Sequence, residues 1–120
     1  MARVTVADCQ RVVVARLEGE VDLASAPGLS ATLAGAVSNA ALGLVVDLSS
    51  VRYLDSAGVR LLFDLAKQLS GHQQALGIVV PEDAPVRRVL LIVNMDAHVP
   101  LCGTVAEAVA GVRARVQETR

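Results

Sequence analysis

Aromatic side chains are almost missing from this chain. Tyr53 and Phe63 are the only two, and tryptophan is absent. That removes the stacking platforms on which proteins hold single-stranded nucleic acid. It also requires a core packed from Val, Leu, Ile and Ala, which suits helices laid on a sheet better than an aromatic cleft. An excess of one charge is lacking as well: 11 basic residues against 12 acidic ones leave a net charge of −1. Such a balance carries no electrostatic footprint for nucleic acid. Cysteine is scarce, and Cys9 and Cys102 lie too far apart for a disulfide framework or a zinc site. Cys102, in an apolar run, reads as a small core residue. His72 and His98 lack the i, i+4 partner of a helix-borne metal site and read as surface or loop residues. Neither G-x-x-x-x-G-K-[ST] nor G-x-G-x-x-G occurs, so neither common phosphate-cradling loop is present and no cofactor or metal is expected.

A long apolar span is missing too. Leu23 to Val46 carries no charge, but Pro27, Asn39 and Thr32 interrupt it, together with three serines and three glycines. That composition reads as helix, turn and strand, not as a membrane crossing. "MARVTVADCQ" has no apolar run of signal-peptide length, so a cytoplasmic protein is expected.

What the chain does have is bulk hydrophobicity, 53% of 120 residues, enough for one domain spanning 1–120 with a sizeable core. "RVTVAD" and "RVVVARLEG" alternate as strands, turned by the polar stretch from Ala7 to Arg11. A helix follows, with Ser25 at its N-cap, Pro27 in its first turn and Leu29, Leu33, Val37 and Ala40 at helical spacing. "LVVDL" is a buried central strand, and "SSVRYLDSAG" reads as a polar link. Val59, Leu62, Phe63, Ala66 and Leu69 then define the clearest amphipathic helix, stopped at Gly71. "ALGIVV" completes a βαβ unit, whose two strands are expected to be parallel. Val86, Val89, Leu90 and Val93 form a third stripe, ended by Asn94 in the left-handed conformation. "VPLCG" is a short edge strand, and Thr104 with Glu107 opens a last helix that faces Val105, Ala108, Val109, Val112 and Val116 inward.

The chemistry concentrates at Asp55, Ser56, Ala57 and Gly58. Taken locally, Ser56 reads as an N-cap, worth about 1 kcal/mol. A nucleophilic role is weaker: the G-x-S-x-G elbow is absent, and Asp47 and Asp55 do not replace a histidine base. Asp47 at a strand end also suggests a phosphorelay receiver, but receivers need an acidic pair after the first strand and a lysine late in the chain, and Lys67 lies within a helix, so that reading fails on spacing. No catalytic residue is assigned. Two features favour presentation of Ser56. Gly58 leaves the turn open to close approach, and a helix N-terminus accepts a phosphate monoester, which here would add about −1.5 to −2 charge beside Asp55.

"LEGEVDLASAPGL", "LVVDLSSVRYLDSAGVRLL", "VRRVLLIVNMDAHVPL" and "TVAEAV" stand in the order and spacing of STAS domains, and the chain resembles a bacterial anti-sigma factor antagonist. The resemblance runs from about Val12 to the last helix. It implies an α/β fold, a mixed four- to five-stranded sheet with about four flanking helices. It implies that Ser56 is phosphorylated by an anti-sigma factor of the ATP-binding serine kinase type and restored by a phosphoserine phosphatase. The unphosphorylated form binds that partner and frees the sigma factor; the phosphorylated form is released. Gly19, Glu20 and Asp22 match the family's G-E-x-D element, and Asp55, Ala57 and Gly58 flank the acceptor. Arg52 and Arg60 are candidates to pair with the phosphate or with partner carboxylates. Ser25, Ser49 and Ser50 stay open as second acceptors, and a weak homodimer stays open too.

Two departures are visible. Asn94-Met95 stands where many members have Gly-Leu. Leu91-Ile92 replaces a more usual charged residue, and the favoured reading is a rotated helix that buries the pair rather than a partner or dimer contact. Two other functions compete: a STAS scaffold or transport accessory subunit without a phospho-switch, and a small hydrolase using Ser56.

Overall fold

A computed structural model describes residues 2–119. Strand β1 (Ala2–Cys9) turns back through Gln10 and Arg11, both at positive φ, into β2 (Val12–Val21). Two consecutive left-handed residues match the right-handed twist of a tight hairpin. Helix α1 (Ala26–Ala36), strand β3 (Gly43–Leu54), helix α2 (Ser56–Gly71), strand β4 (Ala75–Val79) and helix α3 (Arg87–Ile92) follow. A 3₁₀ turn (Met95–Ala97), strand β5 (Leu101–Cys102) and helix α4 (Val105–Thr119) complete the chain.

The five strands form one sheet in chain order, antiparallel between β1 and β2 and parallel thereafter. This is the mixed α/β sheet with four helices expected from the sequence. Its centre is β3, buried on both faces. Leu44, Val46 and Leu48 join the larger core beneath α1, α2 and α3, whereas Val45 joins Val12, Leu42 and Val79 beneath α4. Leu29 and Leu33 anchor α1, each side chain contributing about 1.5–3 kcal/mol by leaving water. Helix α4 opens as its capping pair requires: the Glu107 amide donates to Thr104 Oγ1 at 3.2 Å. Asn94 ends α3 at φ 59° and ψ 36°.

Several expectations need correction. The stretch read as a polar link is strand: β3 runs on to Leu54, paired with β2 through two register shifts. Continued pairing with β2, not side-chain polarity, decides this. Helix α2 buries Leu61 and Leu65 along with Leu62 and Leu69, while Val59, Phe63 and Ala66 sit at the edge of the stripe. Helix α1 ends at Ala36, and Ala40 is exposed. Cys102 is half-buried rather than core. Most consequentially, Leu91 and Ile92 are 43% and 69% exposed. The short α3 buries Leu90 and packs Val89 and Val93 at its flanks, so its turn leaves the Leu91-Ile92 pair outward.

Gln74, which the sequence does not single out, is buried after α2. Its Nε2 donates to the carbonyls of Ser38 and Ala41, both at 2.9 Å, and ties the end of α2 to the α1–β3 connection.

Candidate functional site

The register shifts in the β2–β3 pairing lie between Arg16 and Glu18 and between Gly19 and Glu20. Gly19 takes φ 93°, a conformation that L side chains rarely adopt. Bulges of this kind bend a strand and re-aim its side chains. Here they shape the end of the sheet from which Glu20 and Asp22 lead into α1 and Tyr53 and Asp55 lead into α2.

Asp22 and Ser25 close the loop on each other. The Ser25 amide donates to Asp22 Oδ1 at 3.0 Å, and the Asp22 amide donates to Ser25 Oγ at 3.0 Å. The Ser25 hydroxyl also reaches the Glu20 carbonyl, at 3.1 Å. These bonds from Ser25, backbone first, hold the Asp22 carboxyl below its ordinary pKa of 3.8. Ser25 stands at the N-cap of α1, yet its side chain does not cap the helix; the loop uses it instead.

At α2 the cap is Asp55, not Ser56. Asp55 Oδ1 accepts from the Gly58 amide at 3.1 Å, and Oδ2 accepts from the Leu23 amide at 3.1 Å. One carboxylate therefore caps α2 and straps the β2–α1 loop to it. Ser56 is the first residue of the helix, exposed, and its hydroxyl makes no hydrogen bond among the described residues. The capping reading of Ser56 is thus overturned, because its neighbour already does that work.

Gly58 also departs from expectation. It is buried, and a Cβ there would stand 2.5 Å from Leu54 Cδ1 and 2.7 Å from the Val21 carbonyl oxygen. The close approach is internal, of α2 onto β2 and β3, not an opening towards solvent. Ala57 is half-buried beside it. Arg60 is exposed, with no hydrogen bond or ion pair among the described residues. Arg52 lines a different depression, with Arg3, Glu18, Gly19 and Ser50, and makes no bond to Asp55 or Ser56.

Two residues that the sequence reading passed over belong to the site. Leu23 is 75% exposed and Tyr53 52% exposed, and they line a shallow depression with Asp22, Ala24 and Asp55. The available signal was an aromatic residue inside a stretch read as polar, and a leucine directly after the G-E-x-D element.

Residues 4–103 match the family model described as Mlab, STAS domain. The chain belongs to the STAS family. Among STAS relatives, the anti-sigma-F factor antagonist RsfB of Mycobacterium tuberculosis is 33% identical over 110 residues, covering 92% of this chain and 88% of RsfB. The crystal structure of an anti-sigma factor antagonist from Mycobacterium paratuberculosis superposes with a TM-score of 0.84 at 30% identity, over 94% of this chain and 95% of that one. The anti-sigma factor antagonist SpoIIAA in its unphosphorylated form, at 23% identity and a TM-score of 0.75, covers 93% of this chain and 97% of its own and shares the STAS fold. No helix among the described residues is long and apolar enough to cross a membrane, and no group of three or more His, Cys, Asp or Glu is placed to hold a metal ion.

Proposed function

We propose that this chain is an anti-sigma factor antagonist, a cytoplasmic binding module whose affinity for its partner is set by phosphorylation of Ser56. One observation carries the reading. Of the four candidate acceptors, three have engaged hydroxyls: Ser25 donates to Asp22 and Glu20, Ser49 donates to Asp47 Oδ1 at 2.5 Å, and the Ser50 oxygen accepts from Arg16 Nη2 at 2.9 Å. Ser56 alone presents an unbonded hydroxyl, on an exposed helix N-terminus.

A phosphate there would lie within the positive end of the α2 dipole, so the helix tolerates it. The same group would place about two negative charges beside Asp55 and the apolar Leu23–Tyr53 depression. A partner that buries this surface would have to desolvate them without a prepared counter-charge, and binding falls. The relatives named as anti-sigma factor antagonists support an anti-sigma factor as that partner. An ATP-binding serine kinase activity in the partner and a phosphoserine phosphatase would complete the cycle. Incubation with the cognate anti-sigma factor and ATP, followed by peptide mass mapping, tests the reading. Modification confined to Ser56 is expected; modification elsewhere with Ser56 untouched would refute it.

The exposed Leu91-Ile92 pair favours a second reading, a STAS scaffold or transport accessory subunit that uses α3 for assembly. Co-purification with a membrane ATPase, with Ser56 unmodified, would favour it.

A further inference from the structure

A second cluster stands apart from the Leu23–Tyr53 surface. Val12 and Val14 pack with the core beneath α4, and the alternation of β2 carries that face on to Arg16 and Glu18. There the side chains stand open: Arg16 is exposed and Glu18 half-buried. The register sets Arg3 opposite Glu18 and Glu18 beside Ser50, a row of neighbours across three strands. Arg52 joins them around a depression of about 280 Å³ lined by Arg3, Glu18, Gly19, Ser50 and Arg52. Arg16 Nη2 donates to Ser50 Oγ at 2.9 Å. Arg3 and Arg52 make no hydrogen bond or ion pair among the described residues, although Glu18 is at hand.

We propose that this row is a binding site for a phosphate monoester, held by Arg3, Arg16 and Arg52 with Ser50 at its floor. Guanidinium groups bind phosphate oxygens through paired, charge-assisted N–H donors, and they shed water more readily than an ammonium group does. Because Arg16 donates to the Ser50 oxygen, the hydroxyl proton stays free to point at a ligand oxygen. Glu18 reduces the excess to about two positive charges, which matches one phosphate dianion rather than a longer polyphosphate. The other nearby carboxylate, Asp47, is turned away: it is buried, and its Oδ1 accepts from the amide and hydroxyl of Ser49. The site is independent of Ser56, because Arg52 and Tyr53, though adjacent, line different depressions.

Titration of the full chain with inorganic phosphate, at ionic strength held constant with sodium chloride, tests this by amide and arginine Nε–H NMR. Saturable shifts at Gly19, Ser50 and the arginine Nε–H groups are expected. Arg16→Ala and Arg52→Ala should each weaken binding about tenfold, the loss typical of one charge-assisted hydrogen bond. Glu18→Gln should tighten it several-fold, and Ser56→Ala should leave it unchanged. Glu18→Gln keeps the test sharp even if an arginine variant unfolds. Two further arms separate the sources of such a group: glycerol 3-phosphate in solution, and phosphatidylcholine vesicles containing phosphatidic acid. Arginine-dependent binding in either arm supports the site and assigns its source. A linear response to phosphate, shifts that survive both arginine substitutions, or no binding in either arm overturns it.

Discussion

Asp55 holds the backbone amide of Leu23, 32 residues earlier in the chain, at 3.1 Å, while its other oxygen caps α2 through Gly58. The loop that follows the G-E-x-D element and the helix that presents Ser56 are therefore braced by one carboxylate. Asp55→Ala is expected to cost about 1–2 kcal/mol, the upper range for a lost N-cap, because two amides lose their acceptor. Urea denaturation measures the loss. Amide exchange at Leu23 and Gly58 should quicken together, and quickening at Gly58 alone would contradict the strap.

Gly58→Ala places a methyl group against the backbone oxygen of Val21, which cannot rotate away. Helix propensity alone would favour alanine by about 1 kcal/mol. Overpacking of this kind costs about 1–3 kcal/mol, so net destabilisation is expected. A raised thermal midpoint for Gly58→Ala would show that α2 does not dock as described.

Ser56→Ala removes a hydroxyl that makes no hydrogen bond among the described residues, and stability should stay within about 0.5 kcal/mol of the parent. Binding to the anti-sigma factor, which the unphosphorylated chain is proposed to make, should be retained. Ser56→Asp should weaken it at least tenfold, because on the proposed reading the partner would bury the new charge. Calorimetric titration against the anti-sigma factor distinguishes the two variants.

The bonds from Ser25 hold Asp22 below its ordinary pKa of 3.8. A carboxyl depressed in the folded state stabilises it fully above the unfolded value and loses that effect as pH falls through the folded one. The loop should therefore keep its closure at neutral pH and loosen only below about 3.8. NMR titration should show the Ser25 amide moving with the Asp22 carboxyl. Asp22→Asn should abolish that titration.

Burial raises the Cys102 thiol pKa, and the Glu107 charge adds to the effect. Cys9 is exposed on the edge strand. Iodoacetamide at neutral pH should alkylate Cys9 first and Cys102 at least several-fold more slowly, as peptide mapping over time would record. Equal rates would place Cys102 in a more open setting.

How much of this was legible without coordinates depended on whether a residue's role was local. Periodicity placed the helices and the central strand, Thr104 and Glu107 marked the start of α4, and the preference of Asn for left-handed backbone marked the end of α3. Where the stripe was ambiguous, as for Leu61 and Leu65 or for Leu91 and Ile92, the helix phase was set by what lay beneath it, and the pattern misjudged both.

The order of elements, the alternation of the strands and the element Asp55-Ser56-Ala57-Gly58 were determined by the sequence itself, because spacing along a strand or at a helix start is a property of the local chain. Which of Asp55 and Ser56 caps α2 was decided only by tertiary structure, since the Asp55 carboxylate earns its position partly from the distant Leu23 amide. Likewise, Gly58 faces inward because Val21 and Leu54 lie against it, and Arg3, Glu18 and Ser50 of three strands stand side by side only through sheet register. Contacts between segments far apart in sequence leave no local period to read, and those contacts set which side chains were left exposed.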